Sequence, residues 1–395
     1  MHENEDGKLS RRKMLTVAAA GAAGLALAPA AASDKTETTL RWGIIGTGTR
    51  GMWTHVPVLK EAPDSQIVAL CDISEERLRA AAAKAGGPLA AYSDYQKLLA
   101  NPEINCVVIA TPNLLHREML LAALQAGKHV LCEKPAGVTP ADAVAMKQAA
   151  GSAKTVVMFG MQYRNQIKHR QIHELIASGR IGRPRYIVQN VSRGDWNTSP
   201  NVWRYADPKL GGQPMNWRFS HAATGGTLNE FDCHYFDLLH WIAGGLPDRL
   251  TCDGGISVYH DGRDTWDHAT VTLNYPGGLT AVHTFSLFGP NRDELRVMGD
   301  EGAIETIADG LRVTYRAKPG ARGGGSRSQE IQPPPPLVHS ADLATRRLYD
   351  DFLECVKTGK KPDAGPDRAV AASRTGWLAE LASQQRAEVK WDQLG

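Results

Sequence analysis

The chain has 395 residues, 42% hydrophobic and 22% charged, a globular composition in a length beyond one ordinary compact domain, so two domains are expected. With 45 Lys and Arg against 42 Asp and Glu, the formal charge is only +3 and the basic clusters are short, which excludes the electrostatic footprint of a nucleic-acid binder. Six scattered cysteines with no C-x-x-C pair exclude a zinc ribbon or a disulfide scaffold and read as buried free thiols.

In chain order the first feature is an address. Ser10-Arg11-Arg12-Lys13-Met14-Leu15, followed by an Ala, Gly and Leu run to Ala28, has the pattern of a twin-arginine export signal. The run is too short and too rich in small residues for a membrane span, and Ala30 and Ala32 suit signal peptidase. Residues 1–32 are therefore expected to be a cleaved leader, with no cysteine at the cleavage site to carry a lipid anchor. The twin-arginine export machinery is then a partner, and the periplasm or exterior the destination.

The next stretch alternates strand and helix. An apolar strand, Leu40 to Ile45, runs into Gly46-Thr47-Gly48-Thr49-Arg50-Gly51 and a helix through Lys60. In such a turn Gly46 permits the bend, Gly48 lets a pyrophosphate approach the backbone, and Gly51 packs helix on strand. A second strand, Gln66 to Cys71, ends at Asp72, where a carboxylate accepts hydrogen bonds from an adenosine ribose and repels a 2′-phosphate, favouring NAD over NADP. Arg50 and Arg77 are the cations near enough in sequence to offset that preference.

Further units are helix Ser74 to Ala85, a strand near Ala91, helix Asp94 to Ala100, strand Cys106 to Ala110, helix Leu114 to Ala126 and strand His129 to Cys132. Ligands of an open parallel sheet lie beyond the carboxyl ends of its strands, where this sequence places Thr111-Pro112-Asn113 and Glu133-Lys134-Pro135. Spacing alone leaves Lys134 open between a solvated and a catalytic lysine. Strand Thr155 to Phe159 leads through Gln162-Tyr163-Arg164 to a basic amphipathic helix, Asn165 to Gly179, which reads as the domain crossing. The expected division is residues 38–160 for dinucleotide binding and 161–395 for substrate and oligomer contacts.

The second half changes character. Arg183 to Val191 is strand-like, and His268 to Tyr275 alternates before Pro276-Gly277-Gly278 turns it into Leu279 to Phe288, a hairpin with one covered face. Lys318 to Pro336 reads as an exposed loop or arm, and two helices, Ser340 to Thr358 and Pro366 to Gln385, close the chain. The fold class is α/β, with a Rossmann domain followed by an α/β domain carrying a predominantly antiparallel open sheet.

One segment of this half carries chemistry. Read as one helix from Gly226 to Ala243, it places Phe231, Tyr235, Leu238 and Ile242 on one stripe and Glu230, His234, Asp237 and Trp241 on a neighbouring one. The second stripe faces solvent, satisfies a core histidine, or presents acid and imidazole to a ligand. Glu230 and His234 stand at metal-ligand spacing, but no further ligand pair accompanies them, so no metal is expected.

The glycine turn with Asp72, the A-T-P-N of Ala110 to Asn113 with His116, E-K-P at Glu133 to Pro135, and G-G-x-L-x-E-x-x-x-H-x-x-D from Gly225 to Asp237 together resemble the Gfo/Idh/MocA oxidoreductases. That resemblance spans nearly all of the chain beyond the leader. It implies an open second sheet, one face covering the nicotinamide and the other making a homodimer or tetramer, and substrates that are sugars, inositols or related polyols. It puts the catalytic lysine on Lys134 and the catalytic histidine on His234, with Glu230 where the family commonly has Asp.

The residues it expects to hold the dinucleotide are Gly46, Thr47, Gly48, Arg50, Gly51, Asp72, Thr111, Asn113, His116, Glu133, Lys134 and Gln162. Glu133 would take the nicotinamide ribose, and Gln162, Tyr163 and Arg164 the carboxamide end and substrate. Trp217, Arg218, Asn229 and His221 are expected around the pocket.

On this reading His234 is the base for the substrate hydroxyl. Lys134, its pKa lowered by burial and by the adjacent cationic nicotinamide, stabilises the developing alkoxide, and Glu230 orients His234 or binds a neighbouring hydroxyl. An exported enzyme meets no obvious pool of NAD, so the cofactor should stay bound and the net reaction be redox-neutral. Two reactions satisfy this: oxidation of one sugar coupled to reduction of another, and glycoside hydrolysis by transient oxidation, elimination, hydration and reduction. A non-catalytic dinucleotide-binding protein is the third alternative.

Overall fold

The computed structural model describes residues 39–194, 203–308, 310–316, 327–332 and 340–394. The expected leader lies outside them, as does most of the Gly, Ser and Pro-rich arm.

Strands β1 (Leu40–Ile45), β2 (Ser65–Cys71), β3 (Ala90–Tyr92), β4 (Cys106–Ile109), β5 (His129–Cys132) and β6 (Val157–Phe159) form a wholly parallel sheet in the order β3-β2-β1-β4-β5-β6. Helices α1 (Val56–Glu61), α2 (Glu75–Ala85), α3 (Tyr95–Leu99), α4 (His116–Gln125) and α5 (Pro140–Ser152) connect them. Crossovers place helices on both faces, which is why β4 reads Cys-Val-Val-Ile and is buried throughout. Ser74 and Asp94 cap α2 and α3 with their side-chain oxygens. The strand alternation had pointed to all of these except α5. Its start is nonetheless written in the chain: Thr139 and Asp142 form a capping box around Pro140 in the first turn.

After a 3₁₀ turn (Gln162–Asn165) and α6 (Ile167–Ala177), the chain builds a second sheet. It contains β7 (Pro184–Ser192), then, beyond the small β8 (Arg204–Ala206) and β9 (Pro214–Asn216) pair, β10 (Arg249–Gly255), β11 (His268–Tyr275), β12 (Leu279–Ser286), β13 (Arg292–Gly299), β14 (Gly302–Ile307), β15 (Gly310–Tyr315), β16 (Arg327–Ile331) and β17 (Val389–Lys390). The order is β16-β15-β14-β13-β7-β12-β11-β10-β17, and only the β7 to β12 contact is parallel. The expected hairpin is there, with Tyr275 opposite Leu279. Strand β16 is a correction, because Arg327–Ile331 was read as part of an exposed loop; its main chain pairs with β15 although four of its five residues are exposed.

Helices α7 (His221–Thr224), α8 (Thr227–Glu230), α9 (Cys233–Ala243), α10 (Ser340–Thr358) and α11 (Pro366–Gln385) complete the fold. The single helix expected from Gly226 to Ala243 is thus two, interrupted at Phe231 and Asp232. In a continuous helix the Glu230 carbonyl would receive the amide of His234. Here it accepts from the ammonium of Lys134 instead.

Helix α11 links these parts. Its Ser373 hydroxyl accepts from the Ala136 amide at 3.2 Å, and its Gly376 lies so near α8 that a Cβ there would stand 2.9 Å from the Asn229 nitrogen. Gly226, which starts α8, has φ of +92° and faces the Glu380 carboxylate of α11, 1.9 Å from where a Cβ would lie. Gly226→Ala should therefore destabilise the protein by about 1–3 kcal/mol in urea unfolding. Unchanged stability would contradict this packing.

Candidate active site

The parallel sheet reverses its winding between β1 and β4, and a crevice opens at the carboxyl ends of those strands. There lies a cavity of about 410 Å³ bordered by Gly46, Gly48, Arg50, Asp72, Thr111 and Asn113 on one side and by Glu133, Lys134, Gln162, Tyr163, Trp217, Glu230 and His234 on the other. The glycine turn has the shape a dinucleotide needs. A Cβ at Gly46 would meet the Ala110 carbonyl at 2.6 Å and one at Gly51 the Gly46 carbonyl at 2.1 Å, while the position above Gly48 is open. Asp72 is held at the rim: one oxygen accepts from the Thr47 amide at 2.8 Å and hydroxyl at 3.0 Å, the other from the Ser74 amide at 2.9 Å. Glycines where a pyrophosphate must approach, and a fixed carboxylate at the end of β2, fit an adenine dinucleotide.

Glu133, at the end of β5, is buried yet ionised. Burial opposes its charge, but the Arg50 guanidinium at 2.6 Å and the His55 ring at 3.0 Å hold its carboxyl far below the usual range. Next to it, Lys134 donates to the Glu230 carbonyl and lies 3.5 Å from the Glu230 carboxylate. Burial alone would lower the Lys134 pKa, but Glu230 and its other anionic neighbours outweigh it and raise the pKa above its ordinary value. The burial half of the expected depression is thus outweighed by these neighbours.

Glu230 also receives Arg218 at 3.3 Å, and the Arg218 guanidinium lies 4.4 Å over the Trp217 ring. Its carboxylate therefore serves two cations, and no described contact joins it to His234.

His234 comes from the first turn of α9 and is 6% exposed. Its ring stacks on Tyr163 at 4.2 Å and 2°, and its Nδ1 has no partner among the described groups. Burial first and the Lys134 charge second push its pKa down to about 3, so the imidazole is neutral and able to accept a proton at neutral pH.

Several expected residues lie elsewhere. Arg164 turns away from the cavity and makes a bidentate pair with Asp237, at 2.8 and 2.5 Å, which Arg368 joins from α11. The resemblance had given Arg164 a substrate contact; a buried aspartate on α9 needs the charge instead. Asn229 is fully buried and donates to the Gly137 and Thr224 carbonyls, each at 3.0 Å, tying α8 to the loop after Pro135 rather than bordering the cavity. His116 sits in the core with its ring nitrogens 3.1 and 3.0 Å from the Pro135 and Thr111 carbonyls, its single N–H donating to one of them, so it shapes the strand-end loops without reaching the cavity. Thr47 and Gly51 likewise act behind the lining, and His221 pairs with Glu380 at 2.8 Å. Among the described residues no cluster of three or more His, Cys, Asp or Glu could hold a metal.

Sequence reasoning missed Arg193, Trp203 and Phe231, which border the cavity, and the buried pair His55 and Tyr349 behind Glu133. Phe231 does pack as its stripe predicts, against Tyr235 and Phe285, and borders the cavity as well. Arg193 and Trp203 carry no local pattern. His55 is nine residues after Gly46 with no spacing rule to mark it.

Residues 40–161 match the model of the Gfo/Idh/MocA oxidoreductase family, NAD-binding Rossmann fold, and residues 169–305 match that of the Gfo/Idh/MocA C-terminal domain. Myo-inositol 2-dehydrogenase of Thermotoga maritima is 26% identical over 361 residues, 90% of this chain and 99% of that protein. D-apiose dehydrogenase of Paraburkholderia graminis is 28% identical over 345 residues, 84% of each chain. The structure of a levoglucosan dehydrogenase with NADH and levoglucosan superposes with a TM-score of 0.76 at 22% identity, covering 90% of this chain and 100% of that one, a likeness of fold.

The site also predicts a pH dependence of stability. Burial lowers the pKa of His55, His116, His169, His234 and His240, the last three to about 4, 3 and 4 respectively. Below their unfolded pKa of about 6.5 the unfolded chain binds protons that the native state refuses, so stability is present above that pH and is lost as pH falls. His221 and Asp232, both raised, act in the opposite sense but are outnumbered. The melting temperature should drop several degrees between about pH 7.5 and about pH 5; an unchanged value would contradict the neutral burial of these rings.

Proposed function

Because the chain belongs to the Gfo/Idh/MocA oxidoreductase family, we propose that it is an exported NAD-dependent dehydrogenase acting on a CH–OH group of a sugar or polyol, with a cofactor that stays bound and is recycled in place. The observation that carries this reading is the convergence of Lys134, from the parallel sheet, with Glu230 and His234, from α8 and α9, on the cavity that Gly48 and Asp72 also border. Membership of an oxidoreductase family, together with Lys134 and His234 on one cavity, supports the catalytic reading over the non-catalytic alternative. The dehydrogenases of myo-inositol and D-apiose among its relatives support a polyhydroxylated substrate.

When bound, the nicotinamide supplies the hydride acceptor. This chain's own residues do the rest. Gln162 and Tyr163 border the cavity between the two halves of the site. The neutral imidazole of His234 takes the hydroxyl proton as the carbinol carbon loses hydride and its C–O bond becomes a carbonyl. The Lys134 ammonium, kept protonated by Glu230, donates to the same oxygen as negative charge builds there. Tyr163, flat on the imidazole, holds the ring in the plane in which it meets the substrate. Asp72 favours NAD, and Arg50, one of the two cations near enough in sequence to offset that preference, is engaged with Glu133.

The twin-arginine pattern supports export and, with it, a redox-neutral cycle. The face of the second sheet that carries Tyr186, Val188 and Val282, opposite the buried Ile187, Ala281 and Phe285, is the surface through which we expect copies to pair. Oxidation of one sugar coupled to reduction of another is the leading reaction. Glycoside hydrolysis through a transient ketone uses the same lysine and histidine. Product analysis separates them: an oxidised and a reduced sugar in the first case, hydrolysis products alone in the second.

Lys134→Ala should cut turnover at least about 100-fold, since it removes the donor to the developing alkoxide, and should also lower the melting temperature, since it leaves the Glu230 carbonyl and carboxylate without that partner. A Lys134→Ala protein working near the wild-type rate would overturn this mechanism.

A further inference from the structure

Behind Glu133 runs a chain of hydrogen bonds that the reaction described above does not use. The Tyr349 hydroxyl, from α10, meets His55 Nδ1 at 2.7 Å, and His55 Nε2 meets Glu133 Oε1 at 3.0 Å. Arg50 Nε donates to that same oxygen at 2.6 Å. His55 is fully buried and Tyr349 is 3% exposed.

The direction of each bond is determined by the chemistry. Glu133 is ionised and can only accept, so His55 donates from Nε2. Burial lowers the pKa of His55, whose ring is neutral, so Nδ1 carries a lone pair and Tyr349 must be the donor to it. Two donors occupy Oε1, while among the described residues no donor reaches Oε2. Oε2 packs where Gly160 lacks a side chain: a Cβ there would stand 2.6 Å away. Glu133 borders the cavity, so its remaining acceptor capacity is what a ligand meets.

We propose that Tyr349 and His55 are positioning residues that lock the Glu133 carboxylate in one orientation, with Oε2 presented to the vicinal hydroxyls of a nicotinamide riboside. This inference rests on the dinucleotide reading of the cavity and adds to it a second point of control. A helix near the end of the chain sets the grip on a cofactor whose binding turn lies at its beginning. Retention of a recycled cofactor then depends on α10 as well as on the glycine turn.

Tyr349→Phe removes one hydroxyl and keeps the ring, which packs edge-on against Trp42 at 5.3 Å. Titration with NADH of the full-length protein stripped of bound nucleotide, followed by fluorescence, should show the dissociation constant rising about tenfold, the loss of one buried hydrogen bond to a group that orients a charge. KM for the dinucleotide should rise with it while kcat stays within about twofold, because the reacting atoms are untouched. His55→Gln, which retains a donor, should bind NADH more tightly than His55→Leu. A wild-type protein that releases no dinucleotide on denaturation and takes up no NADH would overturn the dinucleotide reading and this inference with it. Wild-type binding together with an unchanged dissociation constant in Tyr349→Phe, or equal binding by His55→Gln and His55→Leu, would overturn this inference alone.

Discussion

The buried ammonium of Lys134 is the constraint on which the site depends. A lysine just past the end of parallel strand β5, with its side chain 14% exposed, needs partners for its charge and its three N–H donors. It finds them in Glu230, taking both the main-chain carbonyl and the carboxylate. Where the lysine takes that carbonyl the helix is interrupted, and α8 is separate from α9. His234 lies in the first turn of α9, and Phe231, in the break, borders the cavity. One contact thus joins the parallel sheet to the elements that carry Glu230 and His234.

The electrostatics divide the labour between the two proton-bearing groups. Lys134 is kept charged by an adjacent carboxylate, whereas His234 is kept neutral by burial and by the lysine's own charge. Environments that push two groups in opposite directions distinguish a donor from an acceptor of protons. The extra methylene of Glu230, relative to an aspartate, places its carboxylate between Lys134 and Arg218. Its effect passes through the lysine rather than the imidazole.

What the sequence revealed is what local rules can carry. The glycine turn, the βα alternation and Asp72 are short-range patterns with physical reasons attached. Lys134 and His234 needed a longer pattern, the resemblance to a family. Arg164 was misplaced and His55 overlooked because their partners are distant in sequence. Arg164 meets Asp237 across 73 positions, and His55 meets Tyr349 across 294. Strand β13 was missed although Glu294, Leu295, Arg296 and Val297 alternate between exposed and buried, because the alternation lasts only those four residues. Helical phase also misled, since a uniform 100° step cannot register a break whose carbonyl is taken by a lysine almost a hundred residues earlier.

The central claim is that the crevice at the ends of β1, β2, β4 and β5 holds a dinucleotide that the protein retains. The most direct measurement is to purify the protein with no nucleotide added, denature it, and identify and quantify what is released. The account predicts NAD or NADH near one equivalent per chain. A protein that releases no dinucleotide, and that takes up none when it is supplied, would contradict it.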